Sequence, residues 1–280
     1  MSSIEKAIER LREGSAIEKQ VEQTDPEQTY NASKSNNKIH KIDFDALKKQ
    51  GFLTPEDIQS KISEEYRVLK RPILKNAFGK NTSPSEEGNL IMVTSSIPGE
   101  GKTFTALNLA MSISLEKDTT VLLVDSDVIN PSLSKILNLH DRYGIIDLLT
   151  DTSLEVSDVI VNTNIPQLRI IPSGLPHEHS TELLASDKMK ALAHEISRRY
   201  TDRVILFDSP PLLLASQAAV LSQLMGQILI IVEAGETTKE NIKSAIDLLD
   251  HQKAIGLVLN KTPKGSSGSY YGTYYSSIEK

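Results

Sequence analysis

The sequence predicts an α/β protein: a mostly parallel sheet with helices on both faces, preceded by a helical and then disordered N-terminal arm. Three observations predict it. Short apolar runs recur at 89–95, 121–125, 168–171, 203–208, 227–233 and 255–260. Stretches with helical spacing, at 102–116, 181–200, 215–225 and 237–251, separate most of them. The runs are apolar throughout rather than alternating, so both faces of each strand should be covered, as in a parallel sheet flanked by helices. No internal repeat interrupts this order.

The elements follow from the N-terminus. Residues 3–13 place Ile4, Ala7, Ile8 and Leu11 on one stripe of a short amphipathic helix. From Gly14 to Lys41 the chain is polar and weakly patterned, which reads as a linker. Thr54-Pro55-Glu56-Asp57 has the form of a helix start, with a cap, a proline at the first helical position and acids in the first turn. Ile58, Ile62, Tyr66, Leu69 and Ile73 follow at helical spacing, and Pro72 is expected to kink or end that helix. These signals divide the chain into an arm (1–53), a phosphate-loop domain (54–262) and a tail rich in Gly, Ser and Tyr (263–280).

Composition narrows the function. A net charge of −6 argues against a nucleic-acid surface. The absence of cysteine excludes disulfides, thiolate metal sites and iron–sulfur clusters, and suits a reducing cytosol. No apolar run reaches the length of a membrane span, and the charged start, MSSIEKAIERLREG, lacks a signal-peptide core. The expected location is cytoplasmic.

Chemistry enters after the first strand. Ser95-Ser96-Ile97-Pro98-Gly99-Glu100-Gly101-Lys102-Thr103 runs into a helix, the arrangement of a P-loop. Gly99 and Gly101 let backbone N–H groups turn toward phosphate oxygens, and the helix N-terminus adds partial positive charge. Lys102 would reach the β- and γ-phosphates, and Thr103 would offer its hydroxyl to Mg²⁺. Ser96 stands where the pattern has its first glycine. Two further strands end in acid: Asp125 and Asp127 close VLLVDSD, and Asp208 closes RVILFD. Parallel strands all present their carboxyl ends on one side, where ligands bind, so these acids should meet Lys102 and Thr103.

The C-terminus holds Tyr270, Tyr271, Tyr274 and Tyr275, half of the chain's eight tyrosines. If the last strand runs parallel to the first, its carboxyl end opens beside the phosphate loop. The nine residues from Lys261 to Ser269 then form a tether with an end-to-end distance of roughly 16 Å.

SSIPGEGKTFTALNLA, VLLVDSDVINPSL and VILFDSPP resemble the Walker A, A′ and B motifs of bacterial tyrosine kinases. The resemblance covers about residues 60–280 and includes EEYRVLKRP, LRIIPSG, ELLASDKM and AGETTKENI…GLVLNK. The start and long arm resemble the exosortase-associated exopolysaccharide tyrosine autokinases. The resemblance implies ATP and Mg²⁺ as cofactors and autophosphorylation of the tail tyrosines. It implies nucleotide contacts from Pro98, Gly99, Glu100, Gly101, Lys102, Thr103 and Phe104, with Asn260 at the adenine. It implies Asp125 as base, Lys102 and Asp127 as its catalytic companions, and Thr103, Asp127 and Asp208 around the metal. Glu64, Arg67 and Lys70 resemble the family's E-x-x-R-x-x-R oligomerisation motif with Lys in the last place. The implied partners are further copies of the chain (a ring being one form), a separate transmembrane polysaccharide co-polymerase or chain-length determinant, and a phosphotyrosine phosphatase. That co-polymerase would hold the kinase at the inner face of the membrane. Where the family's A′ motif often carries Arg, this chain has Ile129 and Asn130. That departure keeps a nucleotide-gated, non-catalytic adaptor as an alternative. A ParA/MinD-type ATPase is a second alternative, disfavoured by Ile97 where those proteins carry a lysine.

Overall fold

The computed structural model describes residues 39–57, 59–79, 87–199 and 202–263. The expected helix at 3–13, most of the expected linker, Ile58 and the tail tyrosines lie outside them. All the described residues belong to one compact unit.

Seven strands form one sheet: β1 (Leu90–Ser95), β2 (Thr120–Asp125), β3 (Val161–Asn162), β4 (Leu168–Ile171), β5 (Arg203–Asp208), β6 (Gln227–Glu233) and β7 (Ala254–Asn260). Their order is β3-β4-β2-β5-β1-β6-β7. Every pairing is parallel except β3 with β4. The apolar runs thus became strands nearly to the residue. β3, two residues long, is too short to announce itself in the sequence.

The strand residues divide between two cores by their alternation. Ile91, Val93, Leu123, Leu206 and Ile231 face one side. There they meet α1 (Phe44–Lys49), α2 (Lys61–Phe78), α3 (Lys102–Ile113) and α4 (Ser132–Ile136). Leu90, Met92, Leu122, Phe207 and Ile230 face the other. They meet α5 (Ile145–Thr150), α6 (Val156–Val159), α7 (Ser180–Leu184), α8 (Asp187–Arg199), α9 (Ser216–Gln223) and α10 (Lys239–Asp247). Helices therefore cover both faces, as expected.

Coverage fails at one place. β7 is an edge strand, and Leu257 and Leu259 are 55% and 61% exposed. Its apolar run promised burial on both faces, but it has a neighbour on one side only.

Four helix expectations change in detail. The helix expected from Thr54 begins at Lys61, capped by the Ser60 hydroxyl, which accepts from Ser63 N–H at 3.2 Å. Asp57 explains the delay. Its carboxylate accepts from both the N–H and the hydroxyl of Thr54, at 3.1 and 2.7 Å, and so closes a separate turn. That helix passes through Pro72 to Phe78 rather than ending there. Proline leaves the carbonyl four residues back without its helical donor. That residue, Val68, is 48% exposed, so water can serve it. The long stretch at 181–200 splits into α7 and α8, where the Ser186 hydroxyl accepts from Met189 N–H and starts a new helix. Finally, α3 ends at Ile113, short of residue 116.

The body also begins before residue 54. His40 pairs with Thr163, Ile42 N–H donates to the Asn164 side chain, and Leu47, Phe52 and Leu53 join the core. Among the described residues no helix is long and apolar enough to cross a membrane.

Candidate nucleotide and phosphoryl-transfer site

The phosphate loop occupies the turn from β1 into α3. Gly99 and Gly101 have φ of 88° and 94°, the left-handed region that glycine enters without strain. Gly101 is the N-cap of α3 and offers no side-chain cap, so the first N–H groups of that twelve-residue helix stay available to an anion. Pro98 and Gly99 form the exposed tip. The Phe104 ring packs on Phe52 at 4.9 Å between centroids. Ser96 is fully buried. Its carbonyl accepts from Leu213 N–H, and its hydroxyl has no partner among the described residues.

β1, β5 and β2 are neighbours, so Lys102, Asp208, Asp125 and Asp127 converge as the sequence predicts. Lys102 Nζ lies 2.7 Å from Asp127 Oδ2, with both side chains nearly buried. Burial works against the lysine charge, but Asp208, Asp127 and Asp125 outweigh it and hold the ammonium above its usual value. Burial pushes Asp208 up to about 8 although Lys102 pulls the other way. Neither Asp208 oxygen has a hydrogen-bond partner among the described residues, although the Thr103 hydroxyl is close enough to favour its charge. Burial also pushes Asp125 up to about 6, against two bonds from Ser134 to its Oδ2, from the N–H at 2.8 Å and the hydroxyl at 2.7 Å. Its Oδ1 is buried and unpartnered among the described residues.

The cluster therefore holds three acids against one lysine, with three buried carboxylate oxygens unserved. Such a donor set suits a hard divalent cation. Among the described residues no three acidic or histidine side chains form a complete ligand set. Mg²⁺ usually takes one or two protein carboxylates and completes its shell with phosphate and water.

Two predicted residues make contacts that the sequence did not foresee. Asn260, expected at the adenine, donates from Nδ2 to the Glu100 carbonyl at 2.8 Å. Its amide rests against Gly101, where an added Cβ would come within 2.1 Å of that nitrogen. Lys70 does not share a surface with Glu64 and Arg67. Those two form an ion pair on the outside of α2, while Lys70 turns inward and bonds the Ser112 carbonyl at 2.6 Å and Glu116 at 2.7 Å. The reason is helical geometry: each three-residue step falls about 60° short of a full turn, so Lys70 lies about 120° around from Glu64. Of the three, Glu64 and Arg67 lie together on the outer side of α2.

Thr237 and Ser134 escaped the sequence reading, and Glu100 was expected only as a nucleotide contact. Glu100 is buried in the loop and accepts from Ile97 N–H at 2.8 Å and from the Thr237 hydroxyl. Thr237 had a detectable signal. It stands beside Thr238, which caps α10 by accepting from Asn241 N–H, so the pair supplies one more hydroxyl than the cap needs. Ser134 had none beyond following Asp125 by nine residues.

Known proteins share this sequence pattern and fold. Residues 88–257 match the profile of an AAA domain family. The tyrosine-protein kinase YwqD of Bacillus subtilis is 30% identical over 222 residues, spanning 78% of this chain and 90% of that protein. The kinase domain of the Escherichia coli tyrosine kinase ETK superposes with a TM-score of 0.64 at 27% identity, over 78% of this chain and 84% of that one. The chimerical protein CapA2B2 gives 0.65 at 27% identity, over 81% and 95%. The chain belongs to the bacterial tyrosine kinases, a family of P-loop proteins.

Proposed function

We propose that the chain transfers the γ-phosphoryl group of ATP to tyrosines of its own C-terminal tail: Tyr270, Tyr271, Tyr274 and Tyr275. One observation carries this reading. β7 runs parallel to β6, which runs parallel to β1, so the chain leaves Asn260 on the side where the phosphate loop lies. The Asn260 side chain touches the loop at 2.8 Å, and the tyrosines follow after a short tether.

The residues present fit the chemistry. Phosphoryl transfer needs positioning and charge neutralisation more than covalent help from the protein. Gly99, Gly101 and the first N–H groups of α3 bind the phosphates, and Lys102 neutralises the β- and γ-oxygens once it leaves Asp127. Thr103, Asp127 and Asp208 would hold Mg²⁺, which supplies charge stabilisation to the transferring group. The tyrosine hydroxyl attacks the γ-phosphorus, the bond to the β–γ bridging oxygen breaks, and ADP departs. Asp125 takes the phenol proton on Oδ1, the oxygen that Ser134 leaves free. Its raised proton affinity makes it a better base than an ordinary aspartate.

Transfer runs mainly in trans, between copies of a homo-oligomer contacted through Glu64 and Arg67. The wider role is regulation of exopolysaccharide synthesis at the inner face of the membrane. A transmembrane co-polymerase would anchor the kinase there, and a phosphatase would reset it. The names of the relatives and the tail support this role.

The test is to incubate purified protein with Mg-ATP and locate phosphotyrosine by mass spectrometry. The expected label falls in 264–280 and disappears on truncation after Pro263. A specific rate that does not change with enzyme concentration would sink transfer in trans. Phosphate released to water without labelled protein would favour an ATPase. Binding without turnover would favour the adaptor, a reading kept alive by the exposed Ile129 where an Arg is absent.

A further inference from the structure

The phosphate loop is not held by β1 and α3 alone. Two contacts tie it to the far edge of the sheet. The Asn260 amide donates to the Glu100 carbonyl at 2.8 Å. The Thr237 hydroxyl donates to the Glu100 carboxylate, whose other oxygen accepts from Ile97 N–H at 2.8 Å. Thr237 in turn accepts from Glu233 N–H at 2.9 Å, and Ala234 N–H donates to the Asn260 carbonyl at 2.9 Å. The loop, the turn after β6 and the end of β7 are thus one hydrogen-bonded unit.

We propose that Asn260 is a positioning residue of the phosphate loop, bracing it against β7 together with Glu100 and Thr237. The inference rests on the nucleotide-binding part of the proposed function. In a trans peptide the C=O and the following N–H point in opposite directions. Anchoring the Glu100 oxygen on Asn260 therefore aims the Gly101 N–H away from β7. That N–H has no partner among the described residues. Glu100 is 1% exposed. Its side chain is drawn out of the phosphate cradle by two donors, which keeps a carboxylate from facing a triphosphate. Glycine at 101 is needed for its φ of 94°, and a side chain there would push the Asn260 amide out of the brace. The brace acts on the phosphates, whatever base the nucleotide carries.

Binding of Mg-ADP and of Mg-pyrophosphate to the full chain tests this. Asn260→Ala should weaken both ligands by a similar factor, about tenfold, the loss expected for one hydrogen bond that orients a charged site. Thr237→Val should act in the same direction, and Thr237→Ser should restore binding because it keeps the hydroxyl. A loss confined to ADP would make Asn260 an adenine contact and overturn the proposal, as would unchanged binding of both ligands. If Asn260→Ala does not fold, the Thr237 pair decides alone. Should the wild-type chain bind neither ligand, the nucleotide reading fails. The brace is then judged by amide exchange in the ligand-free protein. Faster exchange at 97–103 in Asn260→Ala supports it, and an unchanged profile rejects it.

Discussion

β5 and β7 look alike in sequence, RVILFD and AIGLVLN, yet the first is buried at every residue and the second exposes Leu257 and Leu259. The difference lies in their neighbours. β5 sits between β1 and β2 with a core on each face, while β7 has a neighbour on one side only. The residues that end them differ to match. Asp208 ends the buried strand, and desolvation raises its proton affinity. Asn260 ends the edge strand, is partly exposed, and uses a neutral amide to hold a loop. Reactive charge is placed at the sheet centre, where water is excluded, and support at the rim.

The largest expected effect comes from the centre. Lys102→Met removes the ammonium facing Asp127 and Asp208 and should lower the rate of tyrosine phosphorylation about a hundred- to a thousandfold. Initial rates at saturating Mg-ATP measure it. A variant that keeps most of its rate would break the view that charge at the sheet centre drives transfer.

Next is packing. Leu206→Ala, at a fully buried β5 position, should cost about 2–5 kcal/mol in urea unfolding. A small cost would mean that the central strands are no better enclosed than the edge.

Asp208→Asn separates stability from activity. The folded protein binds a proton at Asp208 that the unfolded chain has lost, from the ordinary carboxylate range up to about 8. Stability of the nucleotide-free protein should therefore fall as pH rises through that window. Asp208→Asn should flatten this slope and raise the melting temperature near neutral pH, while abolishing phosphorylation. Parallel melting curves for both proteins across the window would contradict burial as the cause.

The comparison also explains what the sequence revealed. Apolar runs, the glycine turn and strand-end acids are local signals, and they located six strands, the phosphate loop and the convergence of Lys102 with three acids. What stayed hidden depends on neighbours distant in sequence. The strand order put β7 at the edge, and no local feature of AIGLVLN says so. Lys70 was grouped with Glu64 and Arg67 by spacing, but the end of α3 draws it inward. Asp57 diverts a well-formed helix start at Thr54 into a turn. Asn260 stood where an adenine contact was expected, and only the fold brings its amide to Glu100.

The smallest effect should come from the edge. Leu257→Thr trades an exposed leucine for a β-branched residue suited to a strand, and should change stability by no more than about 0.5 kcal/mol, as surface substitutions usually do. Urea unfolding at low protein concentration gives the value for the isolated chain. Repeating it at high concentration sharpens the comparison with β5. If the cost of Leu257→Thr grew with concentration while that of Leu206→Ala did not, the edge would be covered in the assembly, and its leucines would belong to an interface. A cost independent of concentration leaves β7 as a strand whose work is done by its last residue, against the phosphate loop.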